Sequence, residues 1–342
     1  MSTQPISEPI YDVVGIGNAL VDVIAHADDD FIHQQSLVKG SMTLIDTDRA
    51  LHLYKALGTA VEMSGGSAAN TVCGVASFGG KAAYVGKVSH DDLGDVFGHD
   101  LLAVGVHFSP GHHLDGIPTG RCIIVVTPDA QRTMNTFLGI TQNFSSQDVH
   151  DAAIQDSSYL FIEGYLVTSP NGKEAMLHAK KVAEAAGTKV ALTFSDPAMV
   201  KYFKANFDDV IGPSVDLLFA NEEEAMLYTG KSTLAEAREE MKKAAKHFVI
   251  TMGKNGAMIF DGDTFIDIEP YPTTAIDSNG AGDMFAGAFL CAITSGKSYA
   301  WAASLANDCA ARVVAQFGPR LESSEFPLNR MSLNKDFKPV TI

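Results

Sequence analysis

Residues 273–293, TTAIDSNGAGDMFAGAFLCAI, place three small residues and an acid in front of an apolar helix. Gly280, Ala281 and Gly282 can point consecutive backbone N–H groups at one spot, at a helix N-terminus that carries partial positive charge. Asp283 follows in the first helical turn, where its carboxylate can accept a proton from a hydroxyl group. The stretch therefore predicts an anion hole with a base beside it. On local physics an ordinary capped helix start explains the same residues equally well.

Strands and helices alternate through much of the chain before this stretch. From about residue 157, strand-like runs such as SYLFIEGYL (158–166) are separated by helical segments. This order predicts right-handed βαβ crossovers and a largely parallel sheet. The segments around 37–62 and 115–142 interrupt the alternation and are interpreted as hairpins. We expect an α/β fold with a doubly wound, mostly parallel sheet flanked by helices, and a small β-sheet lid.

A chain of 342 residues has room for one large α/β domain and a smaller unit. The expected large α/β domain comprises residues 1–18, 65–114 and 143–342. The expected small β-sheet lid comprises residues 19–64 and 115–142. These boundaries follow the change from strand–helix alternation to hairpin-like segments.

Composition narrows the classes of partner. A net charge of −16 argues against nucleic acid and anionic membranes, which require a basic surface. The chain has no signal-peptide pattern, no run of 18 apolar residues and no C-x-x-C pair among its four cysteines. We therefore expect a cytoplasmic protein with reduced thiols. An acidic protein can still bind polyphosphate if a divalent metal and local backbone dipoles supply the positive field.

A second glycine-rich turn, SGGSAANT (64–71), also opens a helix. Gly65 and Gly66 would let a ligand approach the backbone, and Asn70 lies one turn inside the helix. Tight packing of a small-residue helix explains the two glycines as well. Ligand binding and tight packing both remain open for this turn on the sequence alone.

A third candidate, NEEE (221–224), ends a buried strand. Asn221 and Glu224 face the same side of a first helical turn, where they can orient metal-bound water because Mg²⁺ keeps much of its hydration. The alternative is a solvated acidic helix start. The nearby AMLYTGKST (225–233) lacks the first glycine of a phosphate loop and is interpreted as a helix end and turn. Neither a dinucleotide-binding fingerprint nor a nucleophile elbow is present.

Taken in order, these turns resemble those of the ribokinase-like (phosphofructokinase B type) family of carbohydrate and nucleoside kinases. The resemblance covers about residues 11–318. GGSAANTVCGVASFGG (65–80) is similar to the N-terminal signature of the family, and DSNGAGDMFAGAFL (277–290) is similar to its C-terminal signature. The features similar to adenosine kinases are GNALVD (17–22), PTG (118–120) and the late helix with Asn307. The resemblance implies that the large doubly wound domain carries nucleotide binding and catalysis and that the β-sheet lid lies over the acceptor site. It also implies ATP-dependent phosphorylation of a hydroxymethyl group.

Residue roles follow from the same resemblance. Asp283 would deprotonate the primary hydroxyl of the acceptor, and Gly280, Ala281 and Gly282 would form the hole for the transferring phosphoryl group. The residues that would hold the sugar hydroxyls are Asn18, Asp22, Gly65, Gly66 and Asn70. The residues that would line ATP and its phosphates are Asn221, Glu224, Thr251, Gly253, Gly256, Arg132 and Asn307.

The implied co-substrate is ATP, with Mg²⁺ organised by Glu224 through water. A K⁺ ion near Asp277 is a further expectation, since Asp277-Ser278 stands where relatives carry Asp-Thr. Tyr165 and Phe137 are candidates for stacking on a purine, or they are plain core residues.

The leading prediction is phosphorylation of a purine nucleoside at its 5′-hydroxyl, adenosine and ATP giving AMP and ADP. The alternative within the same chemistry is a kinase for ribose, fructose or a related sugar. A catalytically silent ligand-binding or regulatory protein on the kinase fold would be favoured by an altered Asp283 or a broken anion hole, and the sequence shows neither. A structural or interaction protein would need no glycine-lined turns. The expected partners are therefore small molecules, for a protein that is a monomer or a homodimer.

Overall fold

Two β-sheets and the helices around them make up the regular structure of the described chain. The computed structural model describes residues 9–108, 110, 116–129, 131–326, 329–330 and 333. The strands are β1 (Tyr11–Ile16), β2 (Leu20–His26), β3 (Met42–Leu44), β4 (Ala60–Gly65), β5 (Ala82–Val85), β6 (Val106–Phe108), β7 (Gly120–Val126), β8 (Arg132–Phe137), β9 (Ser157–Ile162), β10 (Lys189–Thr193), β11 (Val215–Asn221), β12 (Ala245–Thr251), β13 (Ala257–Phe260) and β14 (Phe265–Ile268). The helices are α1 (Asp29–Gln34), α2 (Thr47–Ala56), α3 (Ser67–Ser77), α4 (Asp92–Ala103), α5 (Asp151–Gln155), α6 (Pro170–Ala186), α7 (Pro197–Ile211), α8 (Glu222–Thr229), α9 (Leu234–Met241), α10 (Ala281–Thr294) and α11 (Tyr299–Val314).

The larger sheet has the order β14-β13-β12-β11-β10-β9-β1-β5-β6. The strands from β12 to β6 pair in parallel, and β13 and β14 continue the sheet as an antiparallel hairpin. Separate hydrophobic clusters cover its two faces, one including α3, α10 and α11, and the other α6 to α9. The predicted doubly wound α/β fold is therefore confirmed. Strand order reverses between β9 and β1, and such a switch point is where ligands bind in this class of sheet.

The smaller sheet has the order β3-β8-β7-β2-β4. Its strand β2 begins after a link of three residues from β1, so the chain passes directly from one sheet to the other. Strands β7 and β8 form the antiparallel pair expected within 115–142. The domain boundaries stay a prediction, and the boundary at 114/115 lies outside the described residues.

The hairpin interpretation of 37–62 is wrong. Helix α2 occupies the middle of this segment, and its first turn is capped by Asp46, whose side chain accepts a hydrogen bond from the backbone of Arg49. Strand β3 pairs in parallel with β8, whereas β4 pairs antiparallel with β2. Two strands that are neighbours in sequence therefore lie on opposite edges of the sheet, because a helix separates them.

The cysteines and the helix lengths agree with the expectations from composition. Cys73, Cys122, Cys291 and Cys309 are all buried free thiols. Within the described ranges, no helix combines the length and the hydropathy of a membrane span.

Candidate active site

Asn18 and Glu163 lie just beyond the carboxyl ends of the two strands at the switch point. Ile16 ends β1 and Ile162 ends β9, and the two are register partners in neighbouring strands. Beyond them, the Glu163 Oε1 atom accepts hydrogen bonds from the backbone N–H of Asn18 at 3.2 Å and from its Nδ2 at 3.0 Å. Asn18, which is predicted to bind the acceptor substrate, is therefore held at the place where this fold binds ligands.

Glu163 also fixes the start of helix α3. Its Oε2 accepts a hydrogen bond from the backbone N–H of Ala68 at 2.9 Å, and the residue is 1% exposed. Burial raises the pKa of Glu163 to about 7, while the hydrogen bonds from Ala68 and Asn18 act in the opposite direction. One buried carboxyl group thus joins the exit of β1 to the first turn of α3.

The glycine pair before α3 permits two close approaches of the backbone. Gly66 has a φ of +92°, and a Cβ there would lie 2.3 Å from the carbonyl oxygen of Asn18. Gly65 lies against the carboxyl group of Asp22. Both glycines are therefore needed for packing. That packing places the turn against Asn18 and Asp22, the two residues predicted to bind the acceptor substrate.

Asp22 lies on β2 and is 5% exposed. Burial raises its pKa to about 7; Arg320 and Arg132 act to lower the pKa, and Asp283 acts to raise it. A carboxyl group in these surroundings regains its charge when hydrogen-bond donors of a ligand approach it. Asp22 is therefore suited to accept hydrogen bonds from hydroxyl groups.

Asp283 lies in the first turn of α10 and receives two side-chain hydrogen bonds from α3. Ser67 Oγ donates to its Oδ1 at 2.6 Å, and Asn70 Nδ2 donates to its Oδ2 at 3.0 Å. Burial raises the pKa of Asp283, and these two hydrogen bonds act to lower it. The structure thus joins the two glycine turns through one carboxylate, which is oriented by donors and remains partly accessible.

The turn before Asp283 combines a required glycine with open space. Gly280 has a φ of +73°, and a Cβ there would lie 2.1 Å from the carbonyl oxygen of Pro319. Gly282, within the first turn beside Ala281, is exposed, and a Cβ there would meet no atom within 4 Å. This arrangement leaves the amide end of a 14-residue helix free to receive an anion.

The smaller sheet and the loop before α10 meet through an ion pair between Arg132 of β8 and Asp277. Asp277 also accepts backbone hydrogen bonds from Asn279 at 2.9 Å and from Gly318 at 2.8 Å. Burial lowers the pKa of Arg132 to about 10, and Asp22 and Cys122 act in the opposite direction. In the described part of the chain, no three or more His, Cys, Asp or Glu side chains are grouped to hold a metal ion, so K⁺ near Asp277 stays a prediction.

Asn221 and Glu224 form a reciprocal cap at the start of α8. The backbone N–H of each residue donates to the side chain of the other, both at 2.8 Å. Glu224 is buried, unlike a residue of a solvated helix start. Burial raises its pKa to about 7, with Asn221 lowering it and Asp196 and Glu223 raising it.

The remaining candidates for nucleotide binding follow β12. Thr251 ends this strand and is the register partner of Asn221 on β11, so these two predicted residues lie side by side. Gly253 and Gly256 have φ values of +55° and +88°, and a Cβ on Gly256 would lie 2.1 Å from the carbonyl oxygen of Ile268. The turn therefore needs glycine for its own geometry, whether or not a nucleotide contacts it.

Asn307 lies on α11 and Tyr165 in the turn after β9. Asn307 Nδ2 donates to the carbonyl oxygen of Glu269 at 3.0 Å, which ties α11 to the segment after β14. Tyr165 is partly buried in a 3₁₀ turn after β9, and burial raises its pKa, as do the charges of Asp196 and Asp283. Tyr165 therefore lies where the charge of Asp283 acts on it, whereas Asn307 is bonded to the segment after β14.

Phe137 and Asp22 lie on opposite faces of the smaller sheet. Phe137 is the register partner of Arg121, whereas Asp22 is paired with Cys122 and Cys122 with Thr136. Because successive side chains of a strand point to opposite faces, Phe137 lies on the face opposite to Asp22. Phe137 is therefore not brought together with the predicted acceptor residues.

The chain is similar to known kinases in sequence and in structure. Residues 35–325 match the pfkB family of carbohydrate kinases. The chain belongs to this family. Adenosine kinase from Sinorhizobium meliloti is 40% identical, with a TM-score of 0.88 over 94% of this chain and 99% of that one. A probable sugar kinase protein from Rhizobium etli CFN 42 is 37% identical, with a TM-score of 0.87 over 95% and 99%. Fructoselysine 6-kinase from Shigella flexneri is 27% identical over 79% of this chain and 96% of its own length.

Membership of the PfkB family makes the protein a kinase, with ATP as co-substrate and usually Mg²⁺. The buried carboxyl group of Glu224 fits a hydrated Mg²⁺, because oxygen is the ligand that this ion prefers and a nearby cation would favour the charged carboxylate.

Sequence reasoning missed three polar residues of this PfkB-family site. Glu163 is a single acid in an apolar run, and its position at the end of a buried strand was a usable signal. Ser67 stands inside the turn whose neighbours were selected. Arg320 donates from Nε to Asn70 Oδ1 at 2.7 Å and from Nη1 to Ser64 Oγ at 2.9 Å, and its polar tail segment gave no signal.

Proposed function

We propose that this kinase transfers the γ-phosphoryl group of ATP to the 5′-hydroxyl group of adenosine, giving AMP and ADP. The observation that carries phosphoryl transfer is the carboxylate of Asp283, oriented by Ser67 and Asn70 at the amide end of α10. Support for a nucleoside acceptor comes from the 40% identity to an adenosine kinase over nearly the whole chain, together with GNALVD at 17–22.

In the proposed reaction Asp283 accepts the proton of the acceptor hydroxyl as its oxygen bonds to the γ-phosphorus and the bond to ADP breaks. The backbone N–H groups of Gly280, Ala281 and Gly282 stabilise the negative charge on the transferring group, and Arg132 of the lid adds positive charge. Glu224 would hold Mg²⁺ through water, and the bound ion would neutralise charge on the phosphates. Most of the rate comes from positioning and electrostatics, because the transfer itself needs little covalent chemistry from the protein.

The acceptor is proposed to lie between the two sheets. Asn18 in the link after β1 and Asp22 on β2 would hold the ribose hydroxyl groups, with Gly65 and Gly66 allowing the sugar close to the backbone. Tyr165 is the proposed stacking surface for the base, because the charge of Asp283 acts on it, whereas Phe137 lies on the face of the smaller sheet opposite to Asp22. The smaller sheet would then act as the lid of the site.

A sugar kinase is the second candidate. This chain is 37% identical to a probable sugar kinase protein from Rhizobium etli CFN 42. That similarity supports a sugar acceptor almost as strongly as the 40% identity to an adenosine kinase supports a nucleoside. Asn18 and Asp22 suit the hydroxyl groups of a free sugar as well as those of a ribose ring. The two candidates share Asp283 and the anion hole, so only the acceptor distinguishes them.

An ADP-release assay with Mg-ATP decides between them. The acceptors to compare are adenosine, inosine, guanosine, cytidine, ribose, fructose and 2-keto-3-deoxygluconate. We expect kcat/KM for adenosine to exceed that of every sugar by at least about a hundredfold, equivalent to roughly 2.7 kcal/mol of transition-state binding. A preferred free sugar would contradict the nucleoside assignment and keep the kinase site. Phosphorylation that persists in an Asp283→Ala variant would contradict the site itself.

A further inference from the structure

Arg320 connects three parts of the molecule from the segment after α11. Its Nε and Nη1 atoms donate to Asn70 of α3 and to Ser64 of β4, as described above. Its Nη2 atom is buried and has no hydrogen-bond partner within the described part of the chain. A side chain outside every recognised sequence motif thus bridges the helix that carries Asn70 and a strand of the smaller sheet.

The contact with Arg320 determines which end of the Asn70 amide faces Asp283. An asparagine side chain has one acceptor oxygen and one donor nitrogen, whereas a guanidinium group has donors only. Because the Asn70 oxygen accepts from Arg320, its nitrogen is left to donate to Asp283. The reversed amide would turn an oxygen towards the carboxylate and a donor towards the guanidinium, and both contacts would be repulsive.

Arg320 is also a positive charge shared by two carboxyl groups, the buried Asp22 and the partly accessible Asp283. It acts to lower the pKa of both Asp22 and Asp283. The other charged groups that face this pair are Arg132, which acts to lower the pKa of Asp22, and Glu163, which interacts with Asp283. Removal of Arg320 would leave the carboxyl groups near Asp283 with less positive charge to balance them.

We propose that Arg320 is a positioning residue of the phosphoryl-transfer site, which orients the Asn70 amide so that Asp283 is held as a proton acceptor, and which ties this arrangement to β4 through Ser64. The inference rests on the proposed function, since it takes Asp283 as the base. It assigns to Arg320 an effect on turnover and on its pH dependence that a purely structural arginine would not have.

The test compares Arg320→Met, Arg320→Lys and the control Arg238→Met by pH–rate profiles of kcat, using the best acceptor of the panel. Arg238 contacts Met258 and the ring of Phe265. We expect Arg320→Met to lower kcat about 10- to 100-fold, as loss of a supporting group does, and to move the acidic limb upward by about one pH unit. Arg320→Lys keeps the charge and should restore the acidic limb, but only part of kcat. Arg238→Met should match the native protein.

A double-mutant cycle with Asn70→Ala gives a second reading. If Arg320 acts through Asn70, the loss in kcat of the double variant should be close to that of Asn70→Ala alone. Additive losses, or a native kcat and pH profile in Arg320→Met, would overturn the inference. If Arg320→Met does not fold, Arg320→Lys and its cycle with Asn70→Ala decide the question in the same way. If the native protein is active and Asp283→Ala is inactive, the proposed function stands, and a failure of the Arg320 inference can be recognised on its own. If the native protein is inactive, both the proposed function and the Arg320 inference are overturned.

Discussion

Gly65 lies directly against Asp22: a Cβ built on the glycine would stand 2.3 Å from the Cγ atom of the aspartate. The two residues are on adjacent strands of the smaller sheet, β4 and β2, whose antiparallel pairing brings the end of one against the start of the other. The glycine therefore determines where the carboxyl group of Asp22 can lie.

Gly65→Ala should displace Asp22 and weaken use of the acceptor. We expect kcat/KM for the acceptor to fall on the order of 100-fold, the size of effect that a displacement of about 1 Å in a positioning group can have, with little change in KM for ATP. Steady-state kinetics with each substrate varied in turn would measure both. Gly58→Ala is the matched control, because a Cβ on Gly58 meets no atom within 4 Å. Equal losses for both substrates in Gly65→Ala would contradict a local role.

Asp283→Asn should remove the base while leaving the fold intact. Turnover is expected to fall about 100- to 10,000-fold, the contribution of a positioned general base, and ATP binding should persist because the helix start is unchanged. Single-turnover kinetics and ATP titration would separate the two effects. Asp92→Asn, at an exposed aspartate in the first turn of α4, is the control. Near-native turnover in Asp283→Asn would exclude its role as base.

Glu224→Gln should weaken productive binding of Mg-ATP without affecting the acceptor. The substitution keeps the size of the side chain and removes the charge that would organise hydrated Mg²⁺. We expect the Mg²⁺ concentration required for half-maximal turnover to rise, measured at fixed ATP. Glu223→Gln, at the exposed neighbour in the same helical turn, should leave that concentration unchanged. An unchanged Mg²⁺ requirement in both variants would show that Glu224 serves only as a cap.

The protein should be more stable at pH 6 than at pH 8. The carboxyl groups of Asp22, Glu163 and Glu224 have pKa values of about 7 in the fold, raised by burial from ordinary values of 3.8 and 4.5. Between the ordinary and the raised pKa the folded state binds more protons than the unfolded state, so the free energy of unfolding falls as pH rises through about 7. Thermal unfolding measured from pH 5.5 to 8.5 would show this slope. In Glu163→Gln the slope should be shallower, and a stability that increases from pH 6 to 8 in the native protein would contradict the prediction.

Features formed by neighbouring residues could be predicted from the sequence. The turn at 280–283 shows its small residues and its acid within four positions, and the alternation of buried runs with helices is enough to predict a doubly wound sheet. The small sheet was harder to predict. Helix α2 was interpreted as part of a hairpin, because a short apolar pattern does not separate the two kinds of element.

Features that depend on contacts between distant residues could not be predicted. Arg320 meets Asn70 across 250 positions of sequence, and Glu163 meets Asn18 across 145. The face on which Phe137 lies depends on strand register, where a shift of one residue reverses every side chain. Register is a property of paired strands, and the β8 sequence alone does not contain it.

The link between β1 and β2 has a consequence for the choice of acceptor. Asn18 lies inside this three-residue joint, and Asp22 lies beyond it in the second sheet. An acceptor held by both residues, as proposed, would span the joint and connect the two sheets. A molecule too short to reach both residues would contact only one sheet, so the site would select its acceptor partly by length.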